Sequence, residues 1–298
     1  MTDRGRSGQA PPARSYLYVP GDVPAKLAKA LDRGADGVIC DLEDAVAPSA
    51  KAGARRAVAA WLAGIPAAGD HPTEVWVRIN PGPLRSDDLR AVVGPALTGV
   101  CPAKTESVDD LHRVDEVLAG AEAGAGLARG TIRVAPLLES ARAVMAAAAI
   151  AAGPRVVRIQ AGEADLTSEL GLDPGPDEVE LSYLRSRMVM VSRAAGLHPP
   201  VGPIWAAYAD LDGLRRSSEA LRRMGYLGRA CIHPAQVPIV HQVFTPDRAE
   251  VEAARALLDR FDQALAAGSG VITDGRGAMV DEAMVKAARR TLALGRRA

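Results

Sequence analysis

The sequence predicts an α/β protein: a (β/α)8 TIM barrel carrying a C-terminal hairpin-and-helix extension. Three observations predict it. Short apolar runs alternate with helical stretches about eight times along the 298 residues, the pattern of parallel strands covered by crossover helices. Polar residues fall where the runs end, at Glu43, Arg78, Lys104, Glu139, Asp165 and His233. Their spacings are 35, 26, 35, 26 and 68 residues, the last covering two units, against about 30 residues for one βα unit of such a barrel. An open doubly wound sheet is the competing architecture. It would place a ligand at a switch point, but neither G-x-G-x-x-G nor G-x-x-x-x-G-K-[ST] occurs, so a dinucleotide or P-loop site has no support.

The elements follow in order. Ser15 to Val19 reads as the first strand, with Pro20-Gly21-Asp22 as a turn. A helix is expected over 24–33, where Leu27, Ala30 and Leu31 share a face. Asp36 to Cys40 is a buried strand and 49–62 a helix. Glu74 to Asn80 alternates as a strand and stops at Pro81-Gly82. A short strand over 98–104, a helix over 107–121 and a Gly/Ala-rich loop over 122–130 come next. The strand 131–138 runs into Glu139, an Ala-rich helix covers 141–152, and the strand 155–160 ends before Gly162 and Asp165. The remaining expectations are a helix over 177–195, a strand over 199–204, a helix over 214–224 and a strand over 228–232. A helix over 247–267, a hairpin around Asp274-Gly275 and a last helix over 281–294 close the chain. This gives a disordered lead-in over 1–13, a catalytic barrel over 14–245 and an extension over 246–298 that completes the barrel and makes oligomer contacts.

Acidic and basic residues number 36 each, so charge suggests neither a nucleic-acid nor a membrane-surface partner. No apolar run approaches the roughly 20 residues needed to span a bilayer. The lead-in lacks the apolar core of a signal peptide. Cys40, Cys101 and Cys231 sit in or beside apolar runs without metal-ligand spacing, as expected of buried thiols in a cytoplasmic protein.

The acidic stretch Asp41-Leu-Glu-Asp44 ends the second strand. Three carboxylates in four residues repel one another, and burial would favour their neutral forms. They form either a solvated turn with a helix cap or a site that holds a cation or a polarised substrate. Glu139 and Asp165 end successive strands, so they could meet over one pocket. There they would act as an acid/base pair or as ligands for a hard cation, Mg²⁺ above all; without a His- or Cys-rich set, zinc is disfavoured. Their positions equally allow a helix start and a helix cap. Arg78 in an apolar strand needs a partner. It can grip a substrate carboxylate or thioester oxygen, or pair with Glu43 or Asp44. Lys104 reads as a solvated loop lysine, His233 as a hydrogen-bonded histidine at a strand end, and Glu163 and Glu169 as helix-start charge.

The motifs Arg14-Ser-Tyr-Leu-Tyr-Val-Pro-Gly21, Asp41-Leu-Glu-Asp-Ala-Val46, Val77-Arg-Ile-Asn80, Lys104-Thr-Glu-Ser107, Leu138-Glu-Ser-Ala141, Gly162 to Gly171, Ile232-His-Pro-Ala-Gln236 and Met279-Val-Asp281 occur in that order. Together they make the chain resemble, over about 14–290, the citrate lyase β-chain-like branch of the HpcH/HpaI aldolase superfamily, with its malyl-CoA and citramalyl-CoA lyases. The resemblance implies a TIM barrel assembled as trimers or hexamers. It also implies a Mg²⁺-dependent carbon–carbon lyase that cleaves or forms a 3-hydroxyacyl-CoA, with a small 2-keto acid and a short acyl-CoA as the other partners. The metal ligands would be Glu139 and Asp165. Arg78 would bind substrate and stabilise the thioester enolate, Glu43 and Asp44 would hold metal-bound water, and Lys29, Ile232 and His233 would contact CoA. Asp281, usually supplied by a neighbouring subunit, would move the proton at the acyl carbon. Two departures stand out: Pro102-Ala103-Lys104 replaces a common Leu-Pro-Lys, and Val23 replaces an arginine that helps bind CoA. The second leaves room for another thioester carrier, as in a citrate lyase β subunit acting on a citryl-acyl-carrier protein. A thioester-free pyruvate aldolase and a non-catalytic metabolite-binding barrel compete with both of these functions.

Overall fold

Eight parallel chain segments pair edge to edge until the last meets the first. In this computed structural model, which describes residues 12–266, 272–273 and 279–295, the strands β1 (Ser15–Pro20), β2 (Gly37–Asp41), β3 (Glu74–Ile79), β4 (Gly99–Pro102) and β5 (Arg133–Val134) lie side by side in that order. β6 (Leu137–Leu138) continues β5 past Pro136 and pairs with β7 (Gln160–Ala161). Single parallel bridges join Val134 to Val156, Gln160 to Val201 and Gly202 to Arg229. β8 (Arg229–Cys231) then pairs with β1. The pairings therefore form a complete circuit, which leaves no strand edge in the barrel.

Alternation along the strands sorts the side chains. Tyr16, Ile39, Trp76, Cys101, Leu137, Val201 and Ala230 form one buried cluster inside the ring, while neighbours such as Val38 and Cys40 are buried under the helices. The interior also holds a satisfied polar set. Arg158 donates to Tyr16 Oη and Pro199 O, and Tyr16 and Trp76 both donate to Glu74. All three cysteines are buried and unpaired.

Several boundaries differ from those the sequence predicts. Proline lacks an N–H for the ladder, so Pro136 splits the expected 131–138 strand in two. The Ala-rich helix breaks at Ala146 into Ala141–Met145 and Ala147–Ala151. The expected 24–33 helix is a single turn, Pro24–Leu27, followed by a 3-10 turn, Leu31–Arg33. The helices Leu84–Val92 and Gln236–Phe244 were not anticipated. The first has a weak apolar stripe because one of its inward residues is Asp88, which accepts from Asn80 and Arg55.

The described residues fall into two compact units, 13–241 and Pro12 with the residues from 242 onward. The second contains the helices Arg248–Ala266 and Glu282–Gly295 and the antiparallel pair β9 (Ile272–Thr273) and β10 (Met279–Val280). Val280 and Val285 pack with Leu257, Leu258, Phe261 and Met284 as its apolar centre. Of the lead-in expected to be disordered over 1–13, residues 1–11 lie outside the described residues, as does the hairpin turn at Asp274-Gly275. Ala13, however, is ordered and buried in the barrel's apolar cluster, where it packs with Tyr16 and its neighbours.

Candidate active site

The C-terminal ends of β1–β3, β6 and β7 surround a cavity of about 610 Å³, lined among others by Tyr18, Asp44, Arg78, Glu139, Asp165 and Ile232. This is the edge of a barrel where strand ends from distant parts of the chain converge.

Arg78 organises one wall. Asp41 and Arg78 stand opposite each other in the β2–β3 register. The guanidinium grips Asp41 with a fork, Nε to Oδ1 at 2.7 Å and Nη2 to Oδ2 at 2.5 Å. Nη1 lies 3.1 Å from Glu43 and 3.3 Å from Asp44, and the guanidinium sits over the Tyr18 ring. Burial opposes its charge, but the Asp41 carboxylate outweighs it and holds Arg78 above its ordinary pKa. The principal partner is thus Asp41, which sequence reasoning passed over in favour of Glu43 and Asp44. Asp41 is 2% exposed and also accepts from the backbone of Glu43 and Ala45, so it shapes the acidic turn. The available signal was positional: an Asp ending one strand beside an Arg ending the next.

Lys104 is not the solvated loop lysine the sequence suggests, because both its backbone and its side chain are engaged. Its backbone sits at φ 50°, which aims its N–H at Glu139 Oε2 (2.6 Å) while its ammonium donates to Glu43 Oε1 (2.7 Å). The bond to Glu43 raises the lysine's pKa. Glu43 itself is buried. Burial first, then its hydrogen bond to Asp44, push its carboxyl up against the pull of Lys104 and Arg78. At Asp44, burial is outweighed by Glu43, Arg78 and Lys104, so its pKa falls.

Glu139 follows β6 and is 6% exposed. Burial, aided by Glu43 and Asp165, lifts its carboxyl to about 7, despite the Lys104 N–H and Arg78. It lies across Gly162, where an added Cβ would stand 2.5 Å from Glu139 Cγ and 2.9 Å from Oε1. Asp165 is the third residue of the helix Glu163–Leu170 and does not cap it; Gly162 holds that position. One oxygen each from Asp44, Glu139 and Asp165 lie within 4.8 Å of one another. Oxygens bound to one Mg²⁺ at about 2.1 Å are at most roughly 4.2 Å apart. With small side-chain adjustments the three carboxylates can converge on one hard cation, and an all-oxygen donor set is the one such an ion takes.

The other anticipated residues are dispersed. Ile232 lines the cavity, and its N–H and that of His233 donate to Gln236 Oε1. His233 is exposed, accepts from Ala235 N at 3.2 Å and stacks on Tyr208. Lys29 is exposed and outside the cavity lining. Asp281 lies in the second unit, where its Oδ1 accepts from Met284 N at the start of the last helix. Glu163 is more than helix-start charge: both its oxygens accept from Arg185, at 2.8 and 2.7 Å. Glu169 accepts from Ala141 N.

The chain belongs to the HpcH/HpaI aldolase/citrate lyase family, whose profile matches residues 14–234, and it is an enzyme of that family with its TIM-barrel fold. Among its relatives, a citrate lyase subunit beta-like protein of Deinococcus radiodurans is 35% identical, over 95% of this chain and 98% of its own. A (3S)-malyl-CoA thioesterase of Cereibacter sphaeroides is 34% identical, over 96% and 95%. The crystal structure of CitE from Mycobacterium tuberculosis in complex with magnesium, acetoacetate and coenzyme A superimposes with a TM-score of 0.76 at 29% identity, covering 96% of this chain and 98% of that one. Another structure from the same organism, a citrate lyase beta subunit, holds oxaloacetate and magnesium (TM-score 0.65, 29% identity, 80% and 98% covered). Among the described residues no helix is long and apolar enough to cross a membrane.

Proposed function

We propose that this protein is a Mg²⁺-dependent carbon–carbon lyase that cleaves or forms a 3-hydroxyacyl-CoA of the malyl-CoA or citramalyl-CoA type, yielding a 2-keto acid and a short acyl-CoA. The observation that carries the reading is the convergence of Asp44, Glu139 and Asp165 in one cavity with Arg78. Magnesium, acetoacetate and coenzyme A bound together in a structural relative support the same ligand classes. Glu139 and Asp165 would be the metal ligands, and Glu43 and Asp44 would hold metal-bound water. A bound cation there supplies Lewis-acid polarisation of the substrate's hydroxyl and carboxylate oxygens.

The chain's own residues do the rest. Arg78 is locked by Asp41, so its charge is in place before negative charge develops on the thioester oxygen, and no reorganisation is needed at that moment. Glu43 fixes Lys104, and the Lys104 N–H in turn orients Glu139. Asp281, supplied from a neighbouring copy of the chain in a homotrimer or hexamer, gives the proton to the acyl carbon on cleavage and removes it on condensation. Ile232 and His233 flank the thioester, and Lys29 meets the nucleotide end of CoA. A cytoplasmic location accompanies this chemistry.

The test is Glu139→Ala in the purified enzyme. Mg²⁺-dependent cleavage of a panel of malyl- and citramalyl-type thioesters should be lost while the circular dichroism spectrum is retained. Full activity of the variant after EDTA treatment would end the proposal. Turnover only with a citryl-acyl-carrier protein would replace the CoA substrate with that carrier.

A further inference from the structure

We infer that Arg185, which does not line the cavity, is the positioning residue of the metal site: it sets Asp165 by immobilising the first residue of the helix that carries it. This rests on the metal reading above and extends it to a residue with no contact to the proposed ion.

Arg185 lies on the helix Ser182–Ala194 and is 3% exposed. Its guanidinium forks onto Glu163, Nε to Oε1 at 2.8 Å and Nη2 to Oε2 at 2.7 Å. The same group donates to both oxygens of Glu178, at 3.1 and 2.8 Å. Glu163 and Glu178 both stand on the cavity wall, and Glu178 is held at φ 53°, a backbone region non-glycine residues seldom adopt.

Two consequences follow from this placement. Glu163 and Asp165 are two residues apart, so they leave the helix about 200° apart around its axis. Fixing one toward Arg185 fixes the other toward Glu139. In addition, both oxygens of Glu163 are occupied. Glu163, which lines the same cavity, is thereby held by Arg185 instead of turning freely within it. A planar fork achieves this; a lysine ammonium, a point charge, cannot hold both carboxylate oxygens in one plane.

The test measures Mn²⁺ binding to the wild-type enzyme and to Glu163→Gln, Arg185→Lys and Arg185→Met by electron paramagnetic resonance, alongside melting curves. The expected result is a 10–100-fold loss of Mn²⁺ affinity in all three, the usual consequence of removing a partner that orients a metal ligand. Arg185→Lys should recover melting temperature relative to Arg185→Met without recovering affinity. Should Arg185→Met not fold, the isosteric Glu163→Gln and Arg185→Lys carry the test. A folded Glu163→Gln or Arg185→Lys that binds Mn²⁺ within threefold of wild type overturns this inference and leaves the metal site standing. A wild-type enzyme that binds no Mn²⁺ overturns the metal reading itself, and this inference with it.

Discussion

Replacing Gly162 by alanine adds a single methyl group, and it should disable the metal site with little loss of fold. The backbone there has φ −84° and ψ 83°, on the negative-φ side of the map, where an added Cβ does not meet the penalty of positive φ. The new Cβ, however, would stand 2.5 Å from Glu139 Cγ, where carbon atoms normally rest about 3.5–4.0 Å apart. Glu139 must therefore retreat by roughly 1 Å. Its carboxylate is anchored by the Lys104 N–H, so that bond, the metal position, or both are lost. A displacement of about 1 Å in a catalytic group can cost on the order of 100-fold, and a metal ligand tolerates only about 0.2 Å. Overpacking costs about 1–3 kcal/mol, partly offset by about 0.4–1 kcal/mol from the stiffer unfolded chain, so the melting temperature should move only a few degrees. Isothermal titration with Mg²⁺ and steady-state kinetics should both show a loss near 100-fold. Mg²⁺ affinity within threefold of wild type in a folded Gly162→Ala protein would refute the close-approach argument.

Glu139 titrates near 7 because it is buried beside other carboxylates, so protons should compete with the cation. Apparent Mg²⁺ affinity should fall by up to about tenfold per unit as pH drops below about 7 and level off above it, as checked by titration at pH 6, 7 and 8; equal affinities at 6 and 8 would contradict the burial effect. Asp281→Asn keeps a good helix cap, so kcat should drop while melting temperature and Mg²⁺ affinity hold. A matching loss of stability would point to capping as the residue's role. Arg14 donates to Asp36 from its backbone N, Nε and Nη2, and although burial raises the carboxyl's pKa, these bonds outweigh it and hold it low. A carboxyl depressed in the folded state stabilises above its unfolded pKa near 3.9 and loses that contribution as pH falls through the folded value. Asp36→Asn should thus cost on the order of 0.2–1 kcal/mol at pH 7, as for a partly exposed ion pair, with the gap to wild type in urea unfolding closing below about pH 4.

The alternation of strand and helix, and the recurrence of polar residues at each strand end, were legible because both are local: one comes from side-chain periodicity, the other from where apolar runs stop. Glu139, Asp165 and Arg78 could be named for that reason. The register that sets Asp41 opposite Arg78 could not be read, since pairing depends on how two distant segments align. Nor could the roles of Lys104 and Glu163, whose partners Glu43 and Arg185 lie 61 and 22 residues away and are chosen by packing. The helices Leu84–Val92 and Gln236–Phe244 escaped notice because one buries an aspartate and the other contains Pro238. The sequence alone determined the architecture and the edge on which chemistry would gather, because backbone periodicity and chain punctuation act over a few residues. Only the tertiary structure decided which charge meets which, because ion pairing depends on distances of a few ångströms between groups that the chain order keeps far apart.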